Sequence, residues 1–409
     1  MSNKIAIIGG GAAGMMAAGT AVGLGADVTL FEKNDKLGKK LAITGKGRCN
    51  VTNNCGIDEF LSNVPVNSKF LYTAINNFTP SDTIEFFESL GVKMKTERGN
   101  RVFPVSDKAY DIVDAMKKFA KCKIINESVK KLIITDNIIT GVSTNKGEYN
   151  FDNVIVCTGG KSYPLTGSTG DGYKLAEQAG LDVTPLRPSL VPIEIAEPWC
   201  KDLQGLSLKN ISLSIVDTKS NKSVFTDFGE MLFTHFGLSG PVILSASAHI
   251  RDIESGRYKA VIDLKPALDD KTLDARLVSD FGKYINKNFS NALNDLLPQK
   301  MIPVIISLTG IDPYKKVNVI THDERTLLLN LIKKLTLMIT KFRPIDEAII
   351  TSGGVSVKEI DPRTMQAKKI KGLFFAGEII DVDAYTGGFN LQIAFSTAVT
   401  AAKGAVYNE

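Results

Sequence analysis

Three glycines near the start of the chain, Gly9, Gly11 and Gly14, have the spacing GxGxxG. The short apolar run KIAII at residues 4–8 precedes them and an Ala/Met-rich stretch follows, which predicts a strand, a tight turn and a helix. In such a turn the first glycine permits the chain reversal, the second lets the backbone approach a pyrophosphate, and the third lets the helix pack closely on the strand. The anion would then lie at the helix N-terminus.

A carboxylate stands at a distance from these glycines that suits a dinucleotide. The segment DVTLFE at residues 27–32 predicts a second strand that ends in Glu32, 18 residues after Gly14. A carboxylate there would accept hydrogen bonds from the adenosine ribose hydroxyls and would disfavour a 2′-phosphate. Strand, turn, helix and acid together predict dinucleotide binding rather than an ordinary βαβ turn, and at this point NAD and FAD both remain open.

A third apolar strand is predicted in the middle of the chain, in the segment NVIVCTGG at residues 153–160. It ends in Thr158, Gly159 and Gly160, small residues that would let the chain pass close to a ligand. The next segment, STGDGYKLAEQAG, predicts a helix that Thr169 or Asp171 would cap.

The last sixty residues favour FAD over NAD. The segment KGLFFAGEII predicts a strand that ends at Gly377 and Glu378, and Gly387 and Gly388 then open an Ala-rich helix. Rossmann-type FAD enzymes carry such an acid, which hydrogen-bonds the ribityl chain. The helix N-terminus would face the pyrimidine edge of the flavin and stabilise negative charge on the reduced ring.

Seven ordered motifs carry a resemblance to a known family over nearly the full length of the chain. They are IIGGGAAGMMAA, KLGKKLAITGKGRCNVTN, RVFPVSDKA, TGGKSYPLTGSTGDGYKLA, FTHFGLSGP, TSGGVSVKEIDPRTM and GLFFAGEIIDVDAYTGGFNLQIAFSTA. The chain resembles the BaiN/RdsA-type NAD(P)/FAD-dependent oxidoreductases, which include aminoacetone oxidases and bile-acid or steroid ene-reductases. The resemblance implies FAD as the cofactor and NAD(P)H as a transient electron donor.

The resemblance also implies that the loop TGKGRCNVTN, residues 44–53, lies beside the FAD. Arg48, Cys49 and Asn50 would then lie near the pyrophosphate or the flavin. The family pattern is Ser-Gly-Gly-Gly-Arg-Cys-Asn, from which Thr44 and Lys46 depart, and no role is assigned to Lys46. The full set of residues expected at the cofactor is Gly9, Gly11, Ala12, Ala13, Gly14, Glu32, Lys33, Lys40, Gly47, Arg48, Cys49, Asn50, Val129, Thr158, Gly159, Gly160, Gly377, Glu378, Asp381, Gly388, Asn390, Leu391 and Gln392.

Histidine and cysteine give few further candidates for chemistry. His235, in FTHFGLSGP, is the candidate catalytic proton donor or acceptor because histidine titrates near neutrality, although it also suits a turn. Tyr385 is a second candidate acid, with a packing aromatic as the alternative. Cys49 is either a reactive thiol or a buried small residue, and the second is favoured. No metal site is expected, because the three histidines lie far in sequence from Cys49 and Cys55.

The predicted fold class is α/β: a discontinuous Rossmann-like FAD-binding domain with an inserted β-barrel-like domain that carries a helical subdomain. Strand-like segments fill the first part of the insertion, helical periodicity follows, and strand character returns at LTLMITKF and EAIITSGG. The expected boundaries are 1–190 for the first FAD-binding part, 191–266 for the β insertion, 267–335 for the helical subdomain, 336–352 for the return strands, and 353–409 for the C-terminal FAD-binding part.

Composition narrows the function classes. The net charge of +5 is scattered among carboxylates rather than gathered in one basic block, which favours a small-molecule substrate over nucleic acid. Five cysteines without a CxxC pair suit a reducing cytoplasm, and no apolar run of membrane-spanning length is evident.

The predicted reaction is hydride transfer through flavin N5, with NAD(P)H reducing an enone-like substrate. An amine or aminoacetone-type oxidase using oxygen, and a tRNA-modifying or non-catalytic flavoprotein, remain as alternatives.

Overall fold

The computed structural model describes residues 3–407. The strands are β1 Lys4–Ile8, β2 Asp27–Phe31, β3 Thr52–Asn53, β4 Met94–Glu97, β5 Arg101–Pro104, β6 Lys123–Ile125, β7 Val129–Thr135, β8 Ile138–Thr144, β9 Glu148–Asn150, β10 Asn153–Val156, β11 Arg187–Ser189, β12 Ile193–Ile195, β13 Ser207–Asp217, β14 Lys222–Phe233, β15 Gly237–Ser239, β16 Tyr258–Asp263, β17 Leu335–Phe342, β18 Ile350–Ser352 and β19 Leu373–Phe375. The α-helices are α1 Ala12–Gly23, α2 Lys39–Gly47, α3 Ile57–Ser62, α4 Tyr72–Asn77, α5 Pro80–Ser89, α6 Ala109–Phe119, α7 Asp171–Gln178, α8 Pro241–Ser247, α9 Asp270–Lys283, α10 Ile302–Thr309, α11 His322–Lys333 and α12 Phe389–Tyr407.

The chain forms two compact units. Unit 1 contains the residues up to Ser189 and those from Pro344 onwards, and unit 2 is Leu190–Arg343. The sequence placed residues 336–352 in the insertion, but the chain returns to unit 1 at Pro344, and β18 pairs antiparallel with β11 inside unit 1. A three-residue strand carries no local signal for the partner it will find, which explains the difference.

Unit 1 is built on a five-stranded parallel sheet in the order β19-β10-β1-β2-β6. The inner strands β1 and β10 are apolar and almost wholly buried, as expected for a parallel sheet covered on both faces. Helices α1 and α12, both rich in alanine, pack closely against each other. Two small antiparallel sheets, β3-β5-β4 and β7-β8-β9, complete the unit with the β11-β18 pair.

Unit 2 is a closed six-stranded barrel in the order β12-β15-β14-β13-β16-β17. Helices α9, α10 and α11 stand between β16 and β17 in the chain, and the unit has a hydrophobic core of its own. Helix α11 begins with a capping box of Thr321 and Glu324. The predicted fold class, a Rossmann-like domain with an inserted barrel-like domain and helical segment, is confirmed. Among residues 3–407, none of the helices combines the length and apolarity that a membrane crossing requires.

Candidate cofactor site

The three glycines of the GxGxxG turn occupy three different environments. Gly9 has φ of +103°, and a Cβ there would lie 2.6 Å from the carbonyl oxygen of Cys157. A Cβ on Gly14 would lie 1.8 Å from the oxygen of Gly9, so only glycine lets α1 approach β1 this closely. A Cβ on Gly11 would meet no atom within 4 Å. The second glycine therefore faces open space at the start of α1, where the sequence predicts a pyrophosphate.

The N-terminus of α1 presents backbone N–H groups to that space. Gly11 is the N-cap residue, no side chain caps the helix, and its first turn contains no acidic residue. Unsatisfied amides and the positive end of the helix dipole suit a phosphate. The residues present fit the pyrophosphate of a dinucleotide.

Glu32 follows β2 and is nearly buried, with 8% exposure. Its Oε2 accepts a hydrogen bond from the N–H of Gly10 at 2.7 Å, and its Oε1 accepts from the backbone and side chain of Asn34 at 2.8 and 2.7 Å. The carboxylate is thus tied to the glycine turn, at the end of a strand adjacent to β1. This placement agrees with a role at the ribose, and Asn34 is a neighbour that sequence reasoning missed.

Lys33 forms an ion pair with Asp171 at 2.6 Å and donates to Thr169 Oγ1 at 2.5 Å. Burial alone would raise the pKa of Asp171, but hydrogen bonds from Lys33 and Thr169 outweigh burial and lower it. The predicted cap of α7 differs, because the N-cap residue is Gly170, in the left-handed region at φ +81°. Asp171 instead occupies the first turn, and its carboxylate is held by Lys33.

Glu378 is the centre of a polar cluster at the ends of β10 and β19. Its Oε2 lies 2.7 Å from Lys40 Nζ, and its Oε1 accepts from Ser162 Oγ at 3.1 Å and from the N–H of Thr351 at 2.9 Å. A Cβ on Gly160 would lie 2.6 Å from Glu378 Oε1 and 2.9 Å from the Cβ of buried Thr351, so any other residue there would disturb this packing. The structure therefore brings residues 158–160, Lys40 and Glu378 together at one place.

Gly377 connects this cluster to the dinucleotide turn. A Cβ on Gly377 would lie 2.9 Å from the Cβ of Ala13, in the first turn of α1, and Gly377 donates its N–H to Thr397 Oγ1. Thr158 Oγ1 is buried and has no hydrogen-bond partner among residues 3–407. A bound group that brings a polar atom to Thr158 would satisfy this oxygen, which again fits a ligand at these strand ends.

The loop TGKGRCNVTN is held in an unusual backbone conformation. Helix α2 is broken at residues 44–46, where Gly45 and Lys46 have φ of 57° and 58°, and Cys49 has φ of 60°. Arg48 lies over the ring of Phe103 and forms ion pairs with Glu97 and Asp107, so its guanidinium is occupied within the protein. The hydrogen bond with Glu97, followed by that with Asp107, raises the pKa of Arg48.

Cys49 and Asn50 are also used within the protein. Cys49 is fully buried, and burial raises the pKa of its thiol to about 12, which agrees with the favoured interpretation of a buried small residue rather than a reactive thiol. Asn50 accepts a hydrogen bond from the N–H of Val102. Lys46, to which no role was assigned, is exposed, and Gly47 has φ of +84°.

The end of the same loop meets the start of α12. A Cβ on Gly388 would lie 2.2 Å from the carbonyl oxygen of Thr52, and Asn53 donates to the oxygen of Gly387 at 3.1 Å. Asn390 holds the preceding turn through the N–H and carbonyl oxygen of Ala384. The end of the loop and the start of α12 are therefore in contact, and the Asn390 side chain fastens the turn before the helix.

Gln392 has its hydrogen-bonding capacity filled inside unit 1. Its Oε1 accepts from Thr52 and Thr83, and its Nε2 donates to Phe78 O and Ser396 Oγ. The side chain is fully buried and fastens α12 to neighbouring elements of unit 1, and the expected contact of Gln392 with the cofactor stays a prediction.

The remaining predicted residues are dispersed. Val129 is buried at the start of β7, Leu391 packs partly buried against the core, and Asp381 binds Asn67 through its carbonyl oxygen. His235 lies in unit 2, exposed, with its ring against the edge of Phe236. Sequence reasoning missed Ser162 and Thr351, for which the only signal was their location in the quoted segments TGGKSYP and TSGG.

Comparison with known proteins agrees with this architecture. A family model described as "HI0933-like protein Rossmann domain" matches residues 3–404. The chain is 31% identical over 401 residues to the ribosomal RNA dihydrouridine synthase of Escherichia coli (strain K12), covering 96% of this chain and 95% of that protein. It is 29% identical over 418 residues to the 3-dehydro-bile acid delta(4,6)-reductase of Clostridium scindens, covering 98% and 99%.

One solved structure illustrates the shared fold. The 3-ketosteroid delta1-dehydrogenase from Sterolibacterium denitrificans, in complex with 1,4-androstadiene-3,17-dione, is similar with a TM-score of 0.52 over 100% of both chains. The identity is 14%, so this likeness concerns the fold alone.

Proposed function

Because the chain belongs to the HI0933-like family of Rossmann-type, FAD-dependent oxidoreductases, we propose that it uses NAD(P)H to reduce a carbon–carbon double bond conjugated to a carbonyl group. The observation that carries this proposal is that the two relatives matched over nearly their whole length are named for reactions of one chemical type. A delta(4,6)-reductase of a 3-dehydro compound saturates a carbon–carbon double bond that is conjugated to a ketone. Dihydrouridine differs from uridine by saturation of the C5–C6 bond, which is conjugated to the C4 carbonyl.

The residues of unit 1 supply binding and orientation for this chemistry. Bound FAD carries hydride from a donor to an acceptor, while the protein holds it in place and sets the local charge. The α1 N-terminus at Gly11 would hold the pyrophosphate, Glu32 would accept from the ribose hydroxyls, and Glu378 would accept from the ribityl chain. The N-terminus of α12, beside Gly388, would supply positive potential for the negative charge of the reduced flavin.

NAD(P)H would bind only transiently. The sequence has one GxGxxG turn followed by a helix and an acid, and FAD requires it. A donor that binds, delivers hydride and leaves would then make room for the acceptor.

Two acceptor classes suit the proposed reaction. The first is a small enone or dienone, which matches the scattered surface charge and the reductase relative. The second is a uracil base in RNA, which the 31% identity to a ribosomal RNA dihydrouridine synthase supports. The scattered charge favours a small molecule, and the similarity to the ribosomal RNA dihydrouridine synthase is the specific reason to test RNA beside it.

The first experiment tests the donor. The purified flavoprotein is mixed with NADH or NADPH under anaerobic conditions, and bleaching of the long-wavelength flavin band is followed. Rapid bleaching by one nicotinamide is the expected result. A flavin that dithionite bleaches but neither nicotinamide does would reject NAD(P)H as donor and direct the search to an amine substrate with oxygen.

The second experiment tests the acceptor. The anaerobically reduced protein is mixed either with androsta-4,6-diene-3,17-dione or with an unmodified ribosomal RNA transcript, and return of flavin colour is recorded. Mass spectrometry then detects a gain of two hydrogens in the steroid or in a uridine after nuclease digestion. Turnover of RNA should weaken steeply with added salt, since phosphate contacts are salt-dependent, whereas turnover of the neutral steroid should not. Reoxidation by oxygen alone, with no gain of hydrogen in either probe, would contradict the ene-reduction proposal.

A further inference from the structure

Ser162 is a fully buried serine that touches both members of a partly exposed ion pair. Its Oγ accepts a hydrogen bond from Lys40 Nζ at 2.7 Å and donates to Glu378 Oε1 at 3.1 Å. Lys40 Nζ and Glu378 Oε2 are themselves 2.7 Å apart, so the three side chains close a hydrogen-bonded ring. The hydroxyl has one proton, and its other acceptor, the carbonyl oxygen of Ile349, is farther away at 3.4 Å.

Thr351, which also belongs to unit 1, holds the backbone at Ser162 in place. Thr351 Oγ1 accepts from the backbone N–H groups of Lys161 and Ser162 at 2.7 and 3.1 Å. The N–H of Thr351 donates to Glu378 Oε1 at 2.9 Å. Thr351 is 1% exposed, and it therefore locks the 161–162 backbone and the Glu378 carboxylate to the same buried strand, β18.

These contacts distribute the two carboxylate oxygens of Glu378 unequally. Oε1 accepts two hydrogen bonds, from Ser162 and Thr351, which fills the lone pairs of one oxygen. Within residues 3–407, Oε2 accepts from Lys40 alone and keeps capacity for one more donor. The side chains of Lys40 and Glu378 are 23% and 20% exposed, so a ligand can reach Oε2.

We propose that Ser162 is a positioning residue for the cofactor: its hydroxyl closes the ring with Lys40 and Glu378 and so aims Oε2 at a hydroxyl of bound FAD. The inference concerns cofactor affinity and does not depend on which donor or acceptor the enzyme uses. Without the Ser162 hydroxyl, Oε1 loses one of its two donors and Lys40 loses an acceptor, so the carboxylate is held less firmly, by Thr351 and Lys40 alone.

The test measures the Kd for FAD from the fluorescence of FAD released on dilution of the holoprotein. Ser162→Ala is expected to raise the Kd about tenfold, because a misaimed Oε2 would lose its hydrogen bond to the FAD hydroxyl, one bond to a charged group. Ser247→Ala is the matched control, because Ser247 is also buried, donates to Leu244 O and accepts from the N–H of Val191, and lies in unit 2. Its Kd should equal that of the unmodified protein.

A double-substitution cycle separates positioning from general structural damage. If Ser162 acts through Glu378, adding Ser162→Ala to Glu378→Gln should change the Kd by less than about twofold, since the two substitutions then remove the same interaction. A full tenfold increase in both backgrounds, or an unchanged Kd for Ser162→Ala alone, would overturn the proposal. If Ser162→Ala does not fold, Ser162→Cys keeps the volume with a much weaker donor. A folded Ser162→Cys protein with an unchanged Kd would overturn it equally.

Discussion

Replacing Gly11 by alanine is expected to weaken FAD binding without destabilising the protein. Gly11 has φ −82° and ψ −165°, an extended conformation that alanine adopts freely, and its added Cβ would meet no atom within 4 Å. Alanine is a poorer N-cap than glycine, which lowers the free energy of unfolding. Alanine also reduces the conformational entropy of the unfolded chain, which raises the free energy of unfolding by about 0.4–1 kcal/mol. The free energy of unfolding without FAD should therefore change by no more than about 0.5 kcal/mol.

Binding should respond differently, because the new methyl group occupies the space in which the backbone approaches the pyrophosphate. An extra carbon in a closely packed contact costs about 1–3 kcal/mol, which corresponds to a rise in the Kd of roughly 5-fold to 150-fold. The measurements are thermal unfolding of the FAD-free protein and a fluorescence titration with FAD.

Two other glycines of α1 provide comparisons. Gly14→Ala should destabilise the fold itself, since its Cβ would overlap the oxygen of Gly9 at 1.8 Å. Gly23→Ala meets nothing within 4 Å and should be neutral or stabilising by about 0.5–1 kcal/mol, with an unchanged Kd for FAD. If Gly11→Ala bound FAD as the unmodified protein does, the assignment of this turn to the pyrophosphate would be refuted.

Two further predictions concern buried groups of unit 1. The pKa of Cys49 is raised from its ordinary value of 9.0 to about 12, so between these pH values the folded protein keeps a proton that the unfolded chain loses. The free energy of unfolding should therefore fall as the pH rises through that window, and it should fall less for Cys49→Ala than for the unmodified protein when both are unfolded at a series of alkaline pH values. An equal pH dependence of the two proteins would contradict a raised pKa for Cys49. Gln392→Leu leaves the hydroxyls of Thr52 and Thr83 without their shared acceptor and should cost about 2–4 kcal/mol, measured by denaturant unfolding of the FAD-free protein. If Gln392→Leu lowered the free energy of unfolding by less than about 0.5 kcal/mol, the hydrogen bonds of Gln392 would not be needed for stability.

Local patterns were sufficient to predict the elements that carry the dinucleotide turn. The run KIAII corresponds to β1, and LTLMITKF corresponds to β17, residue for residue. The close packing at Gly9 and Gly14 followed from spacing because each is a local steric requirement within one strand-turn-helix unit. The role of Gly11 at a pyrophosphate stays a prediction. The inserted barrel-like domain was also predicted, since apolar residues recur with a period of about 2 in its strands and about 3.6 in the helices inserted between them.

Contacts between distant parts of the chain were beyond such patterns. Lys40 and Glu378 are 338 residues apart, and Ser162 and Thr351 are 189 residues apart. Neither pair has a spacing that a sequence motif can express. Arg48 lies in a specific motif, yet its guanidinium is held by Glu97 and Asp107, whose proximity depends on the β4–β5 hairpin.

The Lys40–Glu378 ion pair by itself is a weak means of fixing an orientation. Both side chains keep about a fifth of their exposure, at 23% and 20%, and water and salt screen pairs of this kind so that their net contribution is small. The donors on Glu378 Oε1 are different, because Ser162 and Thr351 are buried and their positions are set by backbone hydrogen bonds. The direction in which Glu378 points is therefore determined more by two neutral, buried groups than by the opposite charge. It follows that a chain with lysine and glutamate at these positions, but without a hydroxyl at position 162, would hold its cofactor less firmly although every charge is present.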